Sequence, residues 1–169
     1  MGYAERDGNV LRLQEVDTKE KDVLHNIMQF YIYEFSRYIP IIKLEPNGSF
    51  KPFNLDKYWV EDNCYAYFIK LNEELIGFAL VESSLELNSN IIQEFFIMSK
   101  HSGNGYGKRI ARELFSIHPG DWKITQIENN EPAYYFWRGL INEISNGEFK
   151  ERFEDGEFIQ EFNTEVIKD

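Results

Sequence analysis

The chain has 169 residues, of which 43% are hydrophobic and 16% aromatic, a composition that excludes a disordered protein. This length suits one domain with a core of its own, and we expect a single domain over residues 1–169. The formal net charge of −11, without a basic stripe in the sequence, argues against a nucleic-acid-binding protein. Such acidity is typical of a solvated surface, and it would also attract a cationic substrate.

The cysteine, the histidines and the N-terminal residues argue against a disulfide-bonded, metal-binding or secreted protein. The single cysteine, Cys64, excludes an internal disulfide and a cysteine-based metal cluster. His25, His101 and His118 fall on separate predicted elements without metal-ligand spacing, so no metal is expected. The opening residues "MGYAERDG" form no apolar leader, and no apolar run approaches membrane-spanning length. We therefore expect a cytoplasmic protein that has no membrane partner.

The first third of the chain predicts a strand, a helix and a long loop. "NVLRLQEV" alternates as a strand does, and Asp17 with Glu20 predicts a capping box for the helix that follows. This helix should end before Pro40. Its apolar face at 3.6-residue spacing is formed by Val23, Leu24, Ile27, Met28, Tyr31 and Phe35. Residues 39–63, which contain three of the five prolines, predict a loop with a short helical turn near "LDKYW". Long loops of this kind commonly close over a functional site.

The rest of the chain alternates strands and helices. "CYAYFIKL" and "LIGFALVES" around "NEE" predict a hairpin, and "NIIQEFFIM", apolar on both faces, predicts a central strand. A glycine-rich loop follows, then a helix whose buried stripe is Ile110, Ala111, Leu114 and Phe115. "WKITQI" predicts a strand, Pro132 marks the first turn of another helix, and two strands flank Asp155-Gly156. The order predicts an α/β domain with a mixed sheet of six to seven strands and helices on both faces.

The glycine-rich stretch "SGNGYGKRIARELF" leads directly into a helix. It fits neither the Walker A loop, since Arg109 stands where Ser or Thr is needed, nor the G-x-G-x-x-G dinucleotide fingerprint. A glycine loop before a helix nevertheless presents unpaired backbone N–H groups and the positive end of the helix dipole. Lys108 and Arg109 add positive charge, so the junction suits an anionic ligand. Taken alone, the loop is explained equally well as a simple turn.

The wider pattern resembles the GNAT superfamily of acyl-CoA-dependent N-acyltransferases. "EFFIMSKHSGNGYGKRIARELF", with "PGDWKI" and "NNEPAYYFW" after it, is similar to the bacterial branch often labelled predicted acetyltransferase. Gly105 and Gly107 match the two glycines of the family signature (Q/R)-x-x-G-x-(G/A), and Asn130 with Ala133 match a later N-x-x-A motif. The resemblance covers roughly Val10 to Phe162. It implies a single GNAT domain whose central sheet splays at its middle to admit acetyl-CoA.

The resemblance also implies which residues hold acetyl-CoA. Main-chain groups of Phe95, Ile97 and Ser99 would bind the pantetheine arm, and the side chain of Asn130 would reach that arm from the other side. The pyrophosphate would lie on a loop formed by Ser102, Gly103, Asn104, Gly105, Tyr106, Gly107 and Lys108. Ser102 replaces the family's Arg or Gln, so one side-chain contact is missing. Lys100, Lys108 or Arg109 would have to substitute for it.

The implied reaction is direct transfer of an acetyl group to a primary amine of a small-molecule or amino-acid-like acceptor. The tyrosine that protonates the departing thiolate in many members is Trp137 here, which cannot serve. Tyr134, one helical turn earlier, is the candidate replacement, with ordinary aromatic packing as the alternative. No metal is implied.

The base of some family members lies at the place of Ile91, and the nearest carboxylate on the strand is Glu94. It should share a face with Phe96 and Met98. Because an unpaired acid in so apolar a strand is costly to bury, Glu94 is either hydrogen-bonded structurally or poised for catalysis with a raised pKa.

Two other functions stay open. The missing Arg, Tyr and base would suit a non-catalytic GNAT-fold module that binds CoA as a sensor. A protein-interaction domain without cofactor binding is disfavoured, because Gly105, Gly107 and Asn130 are retained. Aromatic residues of the first helix and its loop could wall an acceptor pocket, although core packing explains them equally well: Tyr31, Tyr33, Phe35 and Tyr38. The sequence does not specify the acceptor, and it leaves a homodimer open.

Overall fold

A computed structural model describes residues 3–6 and 8–164. In this part of the chain eight strands form one sheet in the order β1-β2-β3-β4-β5-β6-β8-β7. The strands are β1 Tyr3–Arg6, β2 Asn9–Glu15, β3 Cys64–Leu71, β4 Glu74–Ser84, β5 Ser89–Ile97, β6 Asp121–Ile127, β7 Lys150–Glu154 and β8 Glu157–Asn163. The helices are α1 Lys21–Phe35, α2 Lys57–Val60, α3 Tyr106–Ile117 and α4 Glu131–Ser145. Among these helices none has the length and hydropathy needed to cross a membrane.

The mixed α/β architecture and the order of the predicted elements are confirmed. The sheet also contains the short strand β1, which pairs antiparallel with β2 from Tyr3↔Arg12 to Arg6↔Asn9. Its sequence, "YAER", is too short and too polar to show the apolar alternation that identifies a strand. This edge strand therefore comes in addition to the six to seven that the sequence predicts.

Contacts divide the chain into two compact units. The first unit contains the residues up to Leu80 and Glu94–Gly107, and the second contains Val81–Gln93 and the residues from Lys108 onward. Strands β4 and β5 each contribute residues to both units.

In the first unit, α1 packs on the strands through one apolar face. The predicted capping box is present, since Asp17 Oδ1 accepts from the Lys19 amide at 2.8 Å and Glu20 Oε1 accepts from the Asp17 amide at 3.3 Å. It caps the 3-10 turn Thr18–Glu20 that leads into α1, and α1 has no side-chain cap of its own. The helix buries its apolar face in a core formed by Leu24, Ile27, Met28, Ile32, Leu55, Ala66, Phe68, Phe78, Leu80 and Phe96. Val23, predicted on this face, is instead 40% exposed, and Ile32 takes a buried place. The 3.6-residue spacing predicts the centre of the buried stripe correctly, but it does not decide which residues lie at the edge of the stripe.

Gly77 lets β4 and β5 approach closely in the first unit. A Cβ atom added at Gly77 would lie 2.1 Å from the Phe96 carbonyl oxygen. Beside it, the Met98 amide donates to the Ile76 carbonyl at 2.8 Å. The Phe96 carbonyl and the Met98 amide therefore both face β4.

In the second unit, β6 pairs along its whole length with β8, from Asp121↔Asn163 to Ile127↔Glu157. Its parallel ladder with β5 consists of Asn90↔Trp122 and Ile91↔Lys123. The splay at the middle of the sheet stays a prediction. The predicted turn at Asp155-Gly156 is also confirmed, with φ values of 51° and 78°.

Helix α3 buries the stripe that its sequence predicted. Ile110, Ala111, Leu114 and Phe115 are fully buried. The Phe115 ring packs edge-on against Trp122 of β6 and Phe162 of β8, with ring centroids 4.9 and 5.1 Å apart.

We predict that Gly77→Ala destabilises the protein by about 1–3 kcal/mol, because the new methyl group must push the Phe96 carbonyl away. Gly139→Ala is the matched control: its Cβ would meet no atom within 4 Å in α4, and it should stabilise by about 0.5–1 kcal/mol. Urea unfolding of both variants measures the difference. Equal stability of the two variants would contradict the close approach of β4 and β5.

Candidate active site

A carboxylate and a phenol meet in the first unit. Glu94 lies in β5, three residues before the strand ends, and Tyr31 lies in α1. The Tyr31 hydroxyl donates a hydrogen bond to Glu94 Oε2, and both side chains are partly buried. Glu94 shares its strand face with Phe96, as predicted, and the Tyr31 and Phe96 ring centroids are 5.8 Å apart. Helix α1 thus supplies the polar partner that a carboxylate in this apolar strand requires.

The two groups have strongly shifted pKa values. Burial raises the pKa of the Glu94 carboxyl to about 7, and the hydrogen bond from Tyr31 acts against that rise by stabilising the carboxylate. Burial, followed by the nearby charge of Glu94, raises the pKa of Tyr31 well above its usual range. Near neutral pH, Glu94 therefore exchanges a proton readily while Tyr31 keeps its own. Glu94 is thus hydrogen-bonded and has a raised pKa, and its part in catalysis stays a prediction.

The glycine loop after β5 suits an anionic group. Residues 102–105 are exposed, and Gly103 and Gly105 adopt left-handed conformations with φ of 80° and 78°. Asn104 Nδ2 donates to the carbonyls of His101 at 3.1 Å and Ser102 at 3.4 Å. These carbonyl oxygens, which would repel an anion, are thereby bound inside the loop. Helix α3 begins at Tyr106, and the first amides of a helix have no carbonyl partner within it.

The backbone of β5 directs alternate main-chain groups to its two edges. The Phe96 carbonyl and the Met98 amide face β4. Because successive residues of a strand direct their hydrogen-bonding groups to opposite edges, those of Phe95 and Ile97 face the other edge. Ser99 follows in a short 3-10 turn, Ser99–His101. The strand therefore presents alternate main-chain groups for a ligand arm along that edge.

Two further candidates lie in the second unit, where each has a partner of its own. Asn130 caps α4, with its Oδ1 accepting from the Ala133 amide at 3.3 Å, so Nδ2 is the atom that could donate to a ligand. The Tyr134 hydroxyl donates to Glu151 Oε1 at 3.2 Å, and desolvation, followed by Glu151, raises the Tyr134 pKa. Trp137 is buried, with 7% of its surface exposed, as a core residue would be.

The basic residues considered as substitutes at Ser102 are partly engaged. Lys108 Nζ lies 3.5 Å from Glu143 Oε2 of α4, and Arg112 lies 3.3 Å from the same carboxylate. Lys100 Nζ lies 3.9 Å from Glu74 Oε1, and both side chains are largely exposed. Lys100 is thus the more weakly held of these lysines, and it directly precedes the loop.

Sequence reasoning missed the partners that define the environment of Glu94. Tyr31 was placed on the apolar face of α1, but nothing local pairs it with a residue 63 positions later. Phe53 is one of several aromatic residues in a loop without periodicity, so the sequence does not distinguish it from the others. Gly77 is a single glycine within an apolar strand. A glycine inside a strand does signal close backbone approach, and that signal was available at Gly77.

The comparisons with known proteins fit this geometry. Residues 27–140 match the model of the acetyltransferase (GNAT) family, and the chain therefore belongs to that family of acetyltransferases. A comparison with curated proteins found no match.

Three similar solved structures share the fold. An acetyltransferase from Thermus thermophilus is 19% identical with a TM-score of 0.65, over 90% of this chain and 96% of that one. PaiA N-acetyltransferase from Thermoplasma acidophilum, in complex with coenzyme A, is 10% identical with a TM-score of 0.64, over 90% and 98%. A mutant of the spermidine N-acetyltransferase SpeG from Vibrio cholerae is 12% identical with a TM-score of 0.59, over 91% and 94%. The predicted GNAT fold is confirmed.

The raised pKa of Glu94 predicts a pH-dependent stability cost. Between the ordinary carboxyl pKa and about 7, folded Glu94 keeps a proton that the unfolded chain has lost, so stability falls as pH rises through this window. From about pH 5 to about pH 8, the wild type should lose about 2–3 kcal/mol relative to Glu94→Gln. Denaturant unfolding at several pH values measures this difference. The exposed Glu86, changed to Gln, is the control and should run parallel to the wild type.

Proposed function

We propose that the protein transfers an acetyl group from acetyl-CoA directly to a primary amine of a small-molecule or amino-acid-like acceptor. The observation that carries the proposal is the Tyr31–Glu94 pair, a partly buried carboxyl with a pKa of about 7 on the strand that leads into the glycine loop. Enzymes place general bases of this kind near the operating pH.

Glu94 would act as the general base. An alkylamine is mostly protonated at neutral pH, and only the neutral amine can attack a carbonyl carbon. With a pKa of about 7, Glu94 is partly ionised near neutral pH and can accept the ammonium proton. Tyr31 holds Oε2, so Oε1 is the oxygen that would receive the proton.

The chain offers groups for holding acetyl-CoA, which supplies an activated thioester when bound. Main-chain groups of Phe95, Ile97 and Ser99 would bind its arm, the amides from Gly103 to Lys108 would bind its pyrophosphate, and Asn130 Nδ2 would donate to the arm. Tyr134 would protonate the departing thiolate. To do so, its hydroxyl must leave Glu151, to which it donates at 3.2 Å.

A non-catalytic module that binds CoA as a sensor is the second candidate. It is favoured by the engagement of Tyr134 with Glu151 and by Trp137 and Ile91 at the family's acid and base positions. The cytoplasmic location and the expected lack of nucleic-acid and membrane partners stay predictions from the sequence.

Calorimetric titration with acetyl-CoA, followed by thiol release with a panel of amines, separates these candidates. The proposal expects binding and turnover. Glu94→Gln should keep binding and lower kcat by about 10²–10⁴-fold, whereas Glu86→Gln should match the wild type. Binding without turnover would favour the sensor, and the lack of binding would contradict both functions.

Tyr31→Phe should shift the acidic limb of the rate profile to higher pH. The hydrogen bond from Tyr31 lowers the Glu94 pKa, so its removal raises that pKa further above 7. We would measure kcat/KM across the pH range with an amine that the protein acetylates. Tyr33→Phe, on the 64% exposed tyrosine of the same helix, should leave the limb in place. An unmoved limb in Tyr31→Phe would rule out Glu94 as the group that titrates.

Tyr134→Phe tests the proton donor. If Tyr134 protonates the thiolate, kcat should fall by about 10²-fold while acetyl-CoA binding stays unchanged. The neighbouring Tyr135, 69% exposed, gives the control variant Tyr135→Phe. Unchanged turnover in Tyr134→Phe would assign Tyr134 to packing against Phe158, whose ring centroid is 4.4 Å away.

A further inference from the structure

Aromatic rings surround the Tyr31–Glu94 pair in the first unit. The Tyr31 ring centroid lies 5.5 Å from that of Phe78, 5.6 Å from Phe35, 5.8 Å from Phe96 and 6.4 Å from Phe53. Phe35 belongs to α1, Phe78 to β4 and Phe96 to β5, while Phe53 belongs to the loop before α2. Four separate segments thus place rings around Tyr31, the phenol that donates to the Glu94 carboxylate.

These five rings, Tyr31, Phe35, Phe53, Phe78 and Phe96, form an aromatic wall, and part of its surface is accessible. Phe78 and Phe96 are buried, whereas Tyr31, Phe35, Phe53 and Met98 are only partly buried. A ligand whose amine met Glu94 and whose apolar part lay on these side chains would cover some of this surface. An aromatic ring placed there would gain about 0.5–1.5 kcal/mol per ring contact beyond the burial of its area. The wall therefore favours the binding of an acceptor that has an aromatic substituent close to the reacting amine.

The charged groups near Tyr31 and Glu94 suit an acceptor that carries a single positive charge, its ammonium group. Among the described contacts of these two residues, the partners are each other and the four rings. A polyamine would bring further ammonium groups, each of which needs a carboxylate or water. An amino acid would bring its own carboxylate toward Glu94, and like charges at close range repel. One turn beyond Tyr31 on α1, Glu34 interacts with Arg37.

We propose that the acceptor is an arylalkyl monoamine, whose amine meets Glu94 and whose ring packs against Tyr31, Phe35 and Phe53. This inference rests on the proposed acetyl transfer at Glu94. In the balanced step, Glu94 takes one proton from the ammonium group, and the neutral nitrogen then bonds to the acetyl carbon. The carbon–sulfur bond breaks with its electron pair on the CoA thiolate, which takes up a proton as the nitrogen releases its second one. The apolar wall disfavours the ammonium form of the bound amine, and the shifted pKa of Glu94 suits it to remove that proton.

Thiol release with saturating acetyl-CoA and three probe amines tests the inference: 2-phenylethylamine, phenylalanine and spermidine. Phenylalanine adds a carboxylate to the first probe, and spermidine replaces the ring with further amines. We expect kcat/KM for 2-phenylethylamine to exceed that of the other two probes at least about ten-fold.

Phe53→Ala tests the wall itself. It should raise KM for 2-phenylethylamine about ten-fold with little change in kcat, since ring contacts contribute to binding. Phe53→Leu removes the ring but keeps a large apolar side chain, so it should give a smaller rise, and it replaces Phe53→Ala if that variant unfolds. Phe30→Ala is the matched control, because Phe30 is 56% exposed on α1.

Each outcome decides between the proposals. A preference for 2-phenylethylamine that Phe53→Ala weakens supports the inference. A preference for spermidine or phenylalanine, or equal KM changes for all three amines in Phe53→Ala, overturns the acceptor class and leaves acetyl transfer standing. Acetyl-CoA binding without turnover of any amine overturns both.

Discussion

The hydrogen bond between the Tyr31 hydroxyl and the Glu94 carboxylate is the interaction on which the candidate site depends. A carboxylate in an apolar strand loses much of its hydration, and without a donor its ionised form would be too costly to keep. A single phenol compensates for only part of that loss. The balance leaves the pKa of Glu94 at about 7, lower than burial alone would make it. One side chain of α1 thus keeps the pKa of this buried acid near neutral pH.

Backbone geometry determines what the same strand offers on its edges. Gly77 has no side chain, so β4 can approach the Phe96 carbonyl closely, and the Met98 amide then binds the Ile76 carbonyl. This pairing directs the main-chain groups of Phe95 and Ile97 to the opposite edge. The glycine loop follows directly, with Asn104 binding two of its carbonyls. The acid, the strand edge and the glycine loop therefore come from one continuous stretch of chain, from Glu94 to Gly107.

The aromatic residues near Tyr31 contribute to the burial of this pair. Rings exclude water without offering hydrogen bonds, so the burial that raises the pKa of Glu94 is of the kind that would also favour the apolar acceptor proposed above. In the second unit, Tyr134 has a polar setting, since its hydroxyl donates a hydrogen bond to Glu151, and Gln160 and Arg138 also donate to Glu151. The proposed catalytic role of Glu94 in the first unit therefore has more support than that of Tyr134 in the second.

Local patterns were enough to predict most of the fold. The capping box at Asp17, the buried stripe of α3, Pro132 in α4 and the Asp155-Gly156 turn all depend on neighbouring residues, and all are confirmed. The strand β1 was missed because four polar-rich residues show no period. Glu94 could be singled out because an acid in an apolar strand is unusual. Its partner Tyr31 and the ring of Phe53 could not, because only the tertiary fold brings distant segments together.

Direct titration of the Glu94 side chain tests the central claim most simply. Carbon-13 NMR of the protein labelled at glutamate side-chain carboxyls, with Glu94→Gln to assign the resonance, gives the midpoint without any assumption about substrate. The account predicts a midpoint near pH 7. A midpoint in the ordinary carboxyl range, about 4.3, would contradict it.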